Sequence, residues 1–194
     1  MSRATWWFGL LGLSVLGGCG SSPPVEYFTL EPTGQHGTEV VSISTPIQVA
    51  QVHLPPSLDR KQMVRHTGDY TLDISDQHRW SAPLDAMIRQ VLSQDLMKIL
   101  PPGKLILPQE PAPASTRKIV VNVVEFAPDA QGTVRFEGTW SLIVPELGAP
   151  PENHTVQLSE PAGADTASQV RSMSRILERL AAQIAAGTQP SAGA

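Results

Sequence analysis

The sequence is poor in cysteine, in aromatics and in charge. Its 194 residues include one cysteine, 5% aromatic residues and 16% charged residues. A single cysteine excludes any intrachain disulfide and any multi-cysteine zinc or iron–sulfur site. The formal net charge is −4, so there is no concentrated basic surface of the kind that displaces counterions from nucleic acid. No apolar run approaches the roughly 20 residues that a membrane-spanning helix needs. No Gly-x-Ser-x-Gly elbow, Walker loop or dinucleotide glycine motif is present. The five histidines, His36, His53, His66, His78 and His154, lack the i, i+4 spacing of a helical zinc site and read as solvated. The expectation is a non-enzyme with no cofactor and no metal. Proline (18) and glycine (15) together exceed the roughly 12% average but stay below the level of low complexity.

What is present begins at the N-terminus. Arg3 is the only charged side chain before Glu26. A run of about eleven largely apolar residues, Trp6 to Leu16, follows it. As a helix this run spans roughly 16 Å, about half of a hydrocarbon core. That length fits a signal-peptide h-region. Gly9, Gly12, Gly17 and Gly18 would make it a poor core helix. It ends Leu16-Gly17-Gly18-Cys19, which resembles the lipobox of bacterial lipoproteins: an aliphatic residue, two small residues and a cysteine. The resemblance implies residues 1–18 as a signal peptide, cut between Gly18 and Cys19. It also implies S-diacylglycerol and an N-acyl chain on Cys19 as covalent lipid. One acyl chain binds a membrane reversibly, whereas two or three hold effectively without release. Residues 19–25 read as a lipidated tether. Residue 20 is glycine, not aspartate, which by the enterobacterial sorting rule implies the periplasmic face of the outer membrane.

The mature chain shows no internal repeat. Tyr27–Leu30 and Ile47–Val52 read as strands. Gln62–Arg65 and Tyr70–Ile74 read as a hairpin pair turning at Thr67-Gly68-Asp69. Ser81-Ala82-Pro83 opens a helix, with serine as cap and proline in the first turn. Leu84, Ile88, Val91, Leu92, Leu96 and Ile99 form its apolar stripe. Asp95 falls on that stripe, which places it at the rim or in a bond to a backbone group. Lys118–Phe126, Thr133–Val144 and His154–Leu158 form a meander. In the second strand Val134, Phe136, Gly138, Trp140 and Leu142 alternate with polar residues, the pattern of a sheet with one wet face. Val170, Met173, Leu177, Leu180 and Ile184 stripe a second helix. Asp165 or Thr166 is its cap, and Gly187 its stop. The expected fold is α+β: a single antiparallel β-sheet with two amphipathic helices packed on one face. The domain is expected over 26–186 and a disordered tail over 187–194.

Three stretches in order carry a family resemblance: Tyr27-Phe28-Thr29-Leu30, then Val52-His53-Leu54-Pro55-Pro56-Ser57-Leu58-Asp59-Arg60 before Gln62-Met63-Val64, then Arg79-Trp80-Ser81-Ala82-Pro83-Leu84. Together with the lipobox they resemble the ABC-type transport auxiliary lipoproteins, the family that includes PqiC. The resemblance covers roughly residues 19–185. Phe28 and Pro56-Ser57 depart from its usual pattern. It implies a lipid anchor in the membrane, and partnership with a periplasmic MCE-domain protein and an ABC or Pqi-type transporter. Self-association into a homo-oligomer is a further expectation. The implied role is accessory subunit of an intermembrane lipid transport system, docking the MCE-domain component. An alternative is a lipoprotein whose own apolar pocket binds a lipid or small amphiphile. A third, a periplasmic hydrolase, lacks any catalytic constellation. Candidate partner contacts are Asp59, Arg60, Arg65 and Trp80, set against a solvated charge run for the first three and a packed staple for Trp80.

Overall fold

The computed structural model describes residues 23–34, 43–145 and 150–189. Cys19 and Gly18 lie outside them, as does most of the expected tail. Ten elements follow in order. They are β1 (Glu26–Phe28), β2 (Ile47–His53), β3 (Gln62–Gly68), β4 (Thr71–Trp80), α1 (Leu84–Ile99), β5 (Leu105–Ile106), β6 (Arg117–Pro128), β7 (Thr133–Ile143), β8 (Glu152–Pro161) and α2 (Thr166–Gly187).

The strands form two sheets, not the expected one. A three-stranded sheet runs β1-β4-β3, and a five-stranded sheet runs β5-β2-β6-β7-β8. Neither is purely antiparallel. β1 runs parallel to β4, and β2 runs parallel to both β5 and β6. The expected single antiparallel sheet is therefore corrected in two respects. The physical reason is distance along the chain. The β3–β4 and β6–β7–β8 connections are short, and short connections make antiparallel neighbours. The β2–β6 pairing instead joins Ile47 to Arg117 and Val49 to Ile119. A parallel pair needs a long crossover, and here α1 lies within it.

Packing follows the stripes. α1 lies against β2, α2 lies against β7 and β8, and the two helices pack on each other. Ile119, Val121, Val134, Phe136, Trp140, Leu142 and Val156 supply the buried sheet face. Ile88, Leu92, Leu96, Met173, Leu177, Leu180 and Ile184 meet it from the helices. Phe126 and Phe136 touch edge to face at 5.4 Å, one of the two favoured aromatic geometries. Each such side chain, fully buried, stabilises the fold by roughly 1.5–3 kcal/mol.

The helix ends differ in detail from the sequence reading. Pro83, not Ser81, takes the cap position of α1, and no side chain caps it. Ser81 Oγ instead lies 3.8 Å from Met87 Sδ. Asp165 does cap α2, accepting the Ser168 N–H at 2.8 Å. Gly187 is the last helical residue rather than a left-handed stop. Among the described residues only Gly103 and Gly132 have positive φ. A Cβ on Gly187 would stand 2.7 Å from Cη2 of Trp140. The glycine is therefore there to let α2 approach the indole. Thr188 follows, fully buried.

Candidate anchor and docking surfaces

The described chain begins ahead of β1, which adds to the edge of β4 with Glu26 opposite His78 and Phe28 opposite Trp80. The next residues cross both helices. The Glu31 N–H donates to Ser174 Oγ at 3.2 Å. Thr33 Oγ1 donates to Glu178 Oε2 at 2.8 Å. The Gly34 N–H donates to Asp95 Oδ1 at 3.0 Å. This strap explains Asp95. The carboxylate is fully buried because it holds a backbone N–H that has no ladder partner. Burial raises its pKa above the ordinary carboxylate value, against the Gly34 bond and Lys98, which pull it down. Lys98 Nζ stands 3.6 Å from Oδ1, and Oδ2 has no hydrogen-bond partner.

The four expected contact residues do not form one patch. Trp80 is 5% exposed and belongs to the core. Its backbone N–H donates to the Lys61 carbonyl at 2.7 Å, which fastens β4 to the turn before β3. Arg65 pairs with Asp73 across the hairpin at 2.8 Å. Both side chains are about half exposed, so the pair contributes at most about 1 kcal/mol. Asp59 is exposed in the turn between β2 and β3. Arg60 lies beside it, with a 3.5 Å contact to the Pro56 carbonyl and an unpartnered Nε. Arg79 also has an unpartnered Nε. Among the described residues, Arg60, Lys61 and Arg79 make no ion pair.

His66, His78 and His154 are more engaged than solvated side chains would be, whereas His53 is exposed, as the solvated reading has it. His66 Nε2 meets Glu125 Oε2 at 3.0 Å, linking the small sheet to β6. His154 stacks on Trp140 at 4.0 Å. His36 lies outside the described residues. Among the described residues, no cluster of three His, Cys, Asp or Glu side chains is placed to hold a metal ion. No helix among them is long and apolar enough to cross a membrane. A hollow of about 460 Å³ is lined by Arg65, His66, Asp129, Gln131, Ala162 and Gln169.

A feature that sequence reasoning missed is the tip of the β3–β4 hairpin. Tyr70 is 100% exposed, Leu72 43% and Ile74 41%. The signal was present: Tyr70, Leu72 and Ile74 alternate with polar residues from the turn onward.

A family model described as the ABC-type transport auxiliary lipoprotein component matches residues 28–185. The chain belongs to that family. This auxiliary lipoprotein is 27% identical over 138 residues to the intermembrane transport lipoprotein PqiC of Escherichia coli (strain K12), covering 70% of this chain and 73% of the relative. The PqiC of Shigella flexneri matches equally, at 27% over 138 residues. Two solved structures share the fold. One is the crystal structure of an uncharacterized protein, with a TM-score of 0.71 at 20% identity, covering 85% of this chain and 99% of that one. The other is protein XCC0632 from Xanthomonas campestris, with a TM-score of 0.64 at 15% identity, covering 82% and 91%. The auxiliary lipoprotein is thus PqiC-like through most of its length.

Proposed function

We propose that this chain is a lipoprotein anchored on the periplasmic face of the outer membrane, where it serves as accessory subunit of an MCE or Pqi-type intermembrane lipid transport system. The observation that carries this reading is the family match over residues 28–185, directly downstream of a lipobox ending at Cys19. The likeness to PqiC, an intermembrane transport lipoprotein by name, supports the transport role. Cys19 carries S-diacylglycerol and an N-acyl chain. The role is mechanical, not enzymatic. The acyl chains hold one end, and the domain docks the periplasmic MCE-domain component. Tethering raises effective concentration, so modest docking contacts suffice.

The docking contacts belong to the turn carrying Asp59, Arg60 and Lys61, with Arg79 next to it. Gln62 pairs with Arg79, and Arg79 with Tyr27, which sets Arg79 in the same row of the sheet as the end of that turn. These cations have no internal carboxylate partner among the described residues, so an acidic surface on the partner would meet them. Crosslinking the detergent-solubilised lipoprotein should recover the MCE-domain component. Arg60→Glu with Lys61→Glu should lower that recovery by about tenfold, equivalent to about 1.4 kcal/mol. Recovery of no MCE-domain protein would overturn the role. Unchanged recovery with the double variant would overturn this docking site.

A further inference from the structure

We infer that the β3–β4 hairpin tip is a second membrane contact, which rests in the lipid headgroups of the bilayer that holds the acyl chains. This rests on the anchor reading above. Eight large apolar side chains are exposed among the described residues, and three of them, Tyr70, Leu72 and Ile74, fall within five positions. A cluster of this kind marks an interaction surface, whereas single exposed apolar residues do not. Its register gives it a face. His66 pairs with Leu72 and Val64 with Ile74, while Arg65 and Asp73 pair on the opposite face. The hairpin is therefore amphipathic, with a fully exposed tyrosine at its turn. Tyrosine favours the membrane–water interface, where its ring is half buried and its hydroxyl stays wet.

The topology selects a bilayer as the occupant. β1 is parallel to β4, with Glu26 opposite His78. The chain thus reaches β1 from the direction of the hairpin tip. Cys19 is seven residues before Glu26, a reach of at most about 25 Å. Tyr70 is eight residues before His78, but β4 bulges between Ile74 and Arg79, so the six-residue run of its partner from Gln62 to Gly68 sets the length, about 20 Å back along the strand direction. The tip therefore projects in that direction most of the way that the anchor can reach. A shorter path for the tether brings the tip closer to the bilayer. Tyr27, 66% exposed, adds a fourth exposed apolar side chain to the same small sheet. The opposite end of the small sheet carries the Asp59–Lys61 turn, which is then left free for a periplasmic partner.

The experiment uses the full lipoprotein in vesicles of phosphatidylethanolamine and phosphatidylglycerol. Intact mass first reads the acyl chains on Cys19, and their absence would remove the anchor reading and this inference with it. With Cys19 alkylated, Tyr70→Cys provides the one free thiol for an environment-sensitive fluorophore. Gln157→Cys, exposed on β8, is the control. Headgroup spin-labelled lipid should quench the probe at position 70 severalfold more than at position 157. Leu72→Ser with Ile74→Ser should reduce quenching at position 70 while the anchor mass is unchanged. Equal quenching at 70 and 157 would overturn the inference. So would quenching at 70 that ignores the serine pair, since the tether alone would then explain it. A probe that responds only when the MCE-domain component is added would assign the tip to a protein instead.

Discussion

Replacing Gly187 by alanine sets two known magnitudes against each other. Alanine is the better helix former by up to about 1 kcal/mol in a helix interior, and by less in the last turn. By propensity alone Gly187→Ala would be neutral or stabilising. Packing predicts the reverse. The new Cβ would stand 2.7 Å from Cη2 and 2.8 Å from Cζ2 of Trp140, so one of them must move by more than half an ångström. Trp140 has little room, being 2% exposed and stacked on His154 at 4.0 Å. Overpacking a full core costs about 1–3 kcal/mol. After the propensity gain, a net loss of about 1–2 kcal/mol remains. For a domain of this size that lowers Tm by roughly 2–4 °C per kcal/mol. Thermal melts of the detergent-solubilised lipoprotein, followed by near-ultraviolet circular dichroism of tryptophan, read the change. Trp140→Phe removes the obstructing ring edge, so the double variant should lose less than the sum of the singles. An unchanged or raised Tm for Gly187→Ala would refute the close-approach argument.

Other perturbations test other parts of the fold. Gly138→Ala should cost more than Gly187→Ala, because its Cβ would collide with the backbone carbonyl of Asn122 in β6, which cannot swing aside; a smaller loss in chemical denaturation would count against this. Asp95, faced by Gly34, Lys98 and Glu178, has its pKa raised above 3.8 chiefly by burial. The native state then holds this proton more tightly than the unfolded chain, so its contribution falls as pH rises through the window between the two values. Asp95→Asn should therefore gain in Tm relative to the parent as pH rises from about 4; parallel profiles, or a relative gain only in acid, would contradict the burial argument. Cys19→Ser should release the protein from membranes in high salt. Retention there would mean that a lipid on Cys19 is not the tether.

The parts of this fold that could be read from the sequence were those encoded over short distances. The stripe from Val170 to Ile184 and the alternation from Val134 to Leu142 each repeat within one element, so the face that is buried follows from geometry. Short connections made the β3–β4 and β6–β7–β8 pairs antiparallel neighbours. The candidate contacts fared less evenly. Arg60 and Asp59 lie at the surface as charged side chains do, and Trp80 is buried, as the packed reading of its place before the helix has it. Its burial depends on β1 and on the turn at Lys61, elements supplied from elsewhere in the chain.

The two amphipathic helices and the wet face of the meander were determined by local pattern and side-chain chemistry. Only the tertiary structure decided that β2 pairs in parallel with β5 and β6, that the hairpin joins β1 in a separate sheet, and that Asp95 serves the strap at Gly34. These pairings bring together residues tens of positions apart. No periodicity encodes such a partnership, because its selection depends on closing long loops and burying surfaces that meet only once the chain has folded.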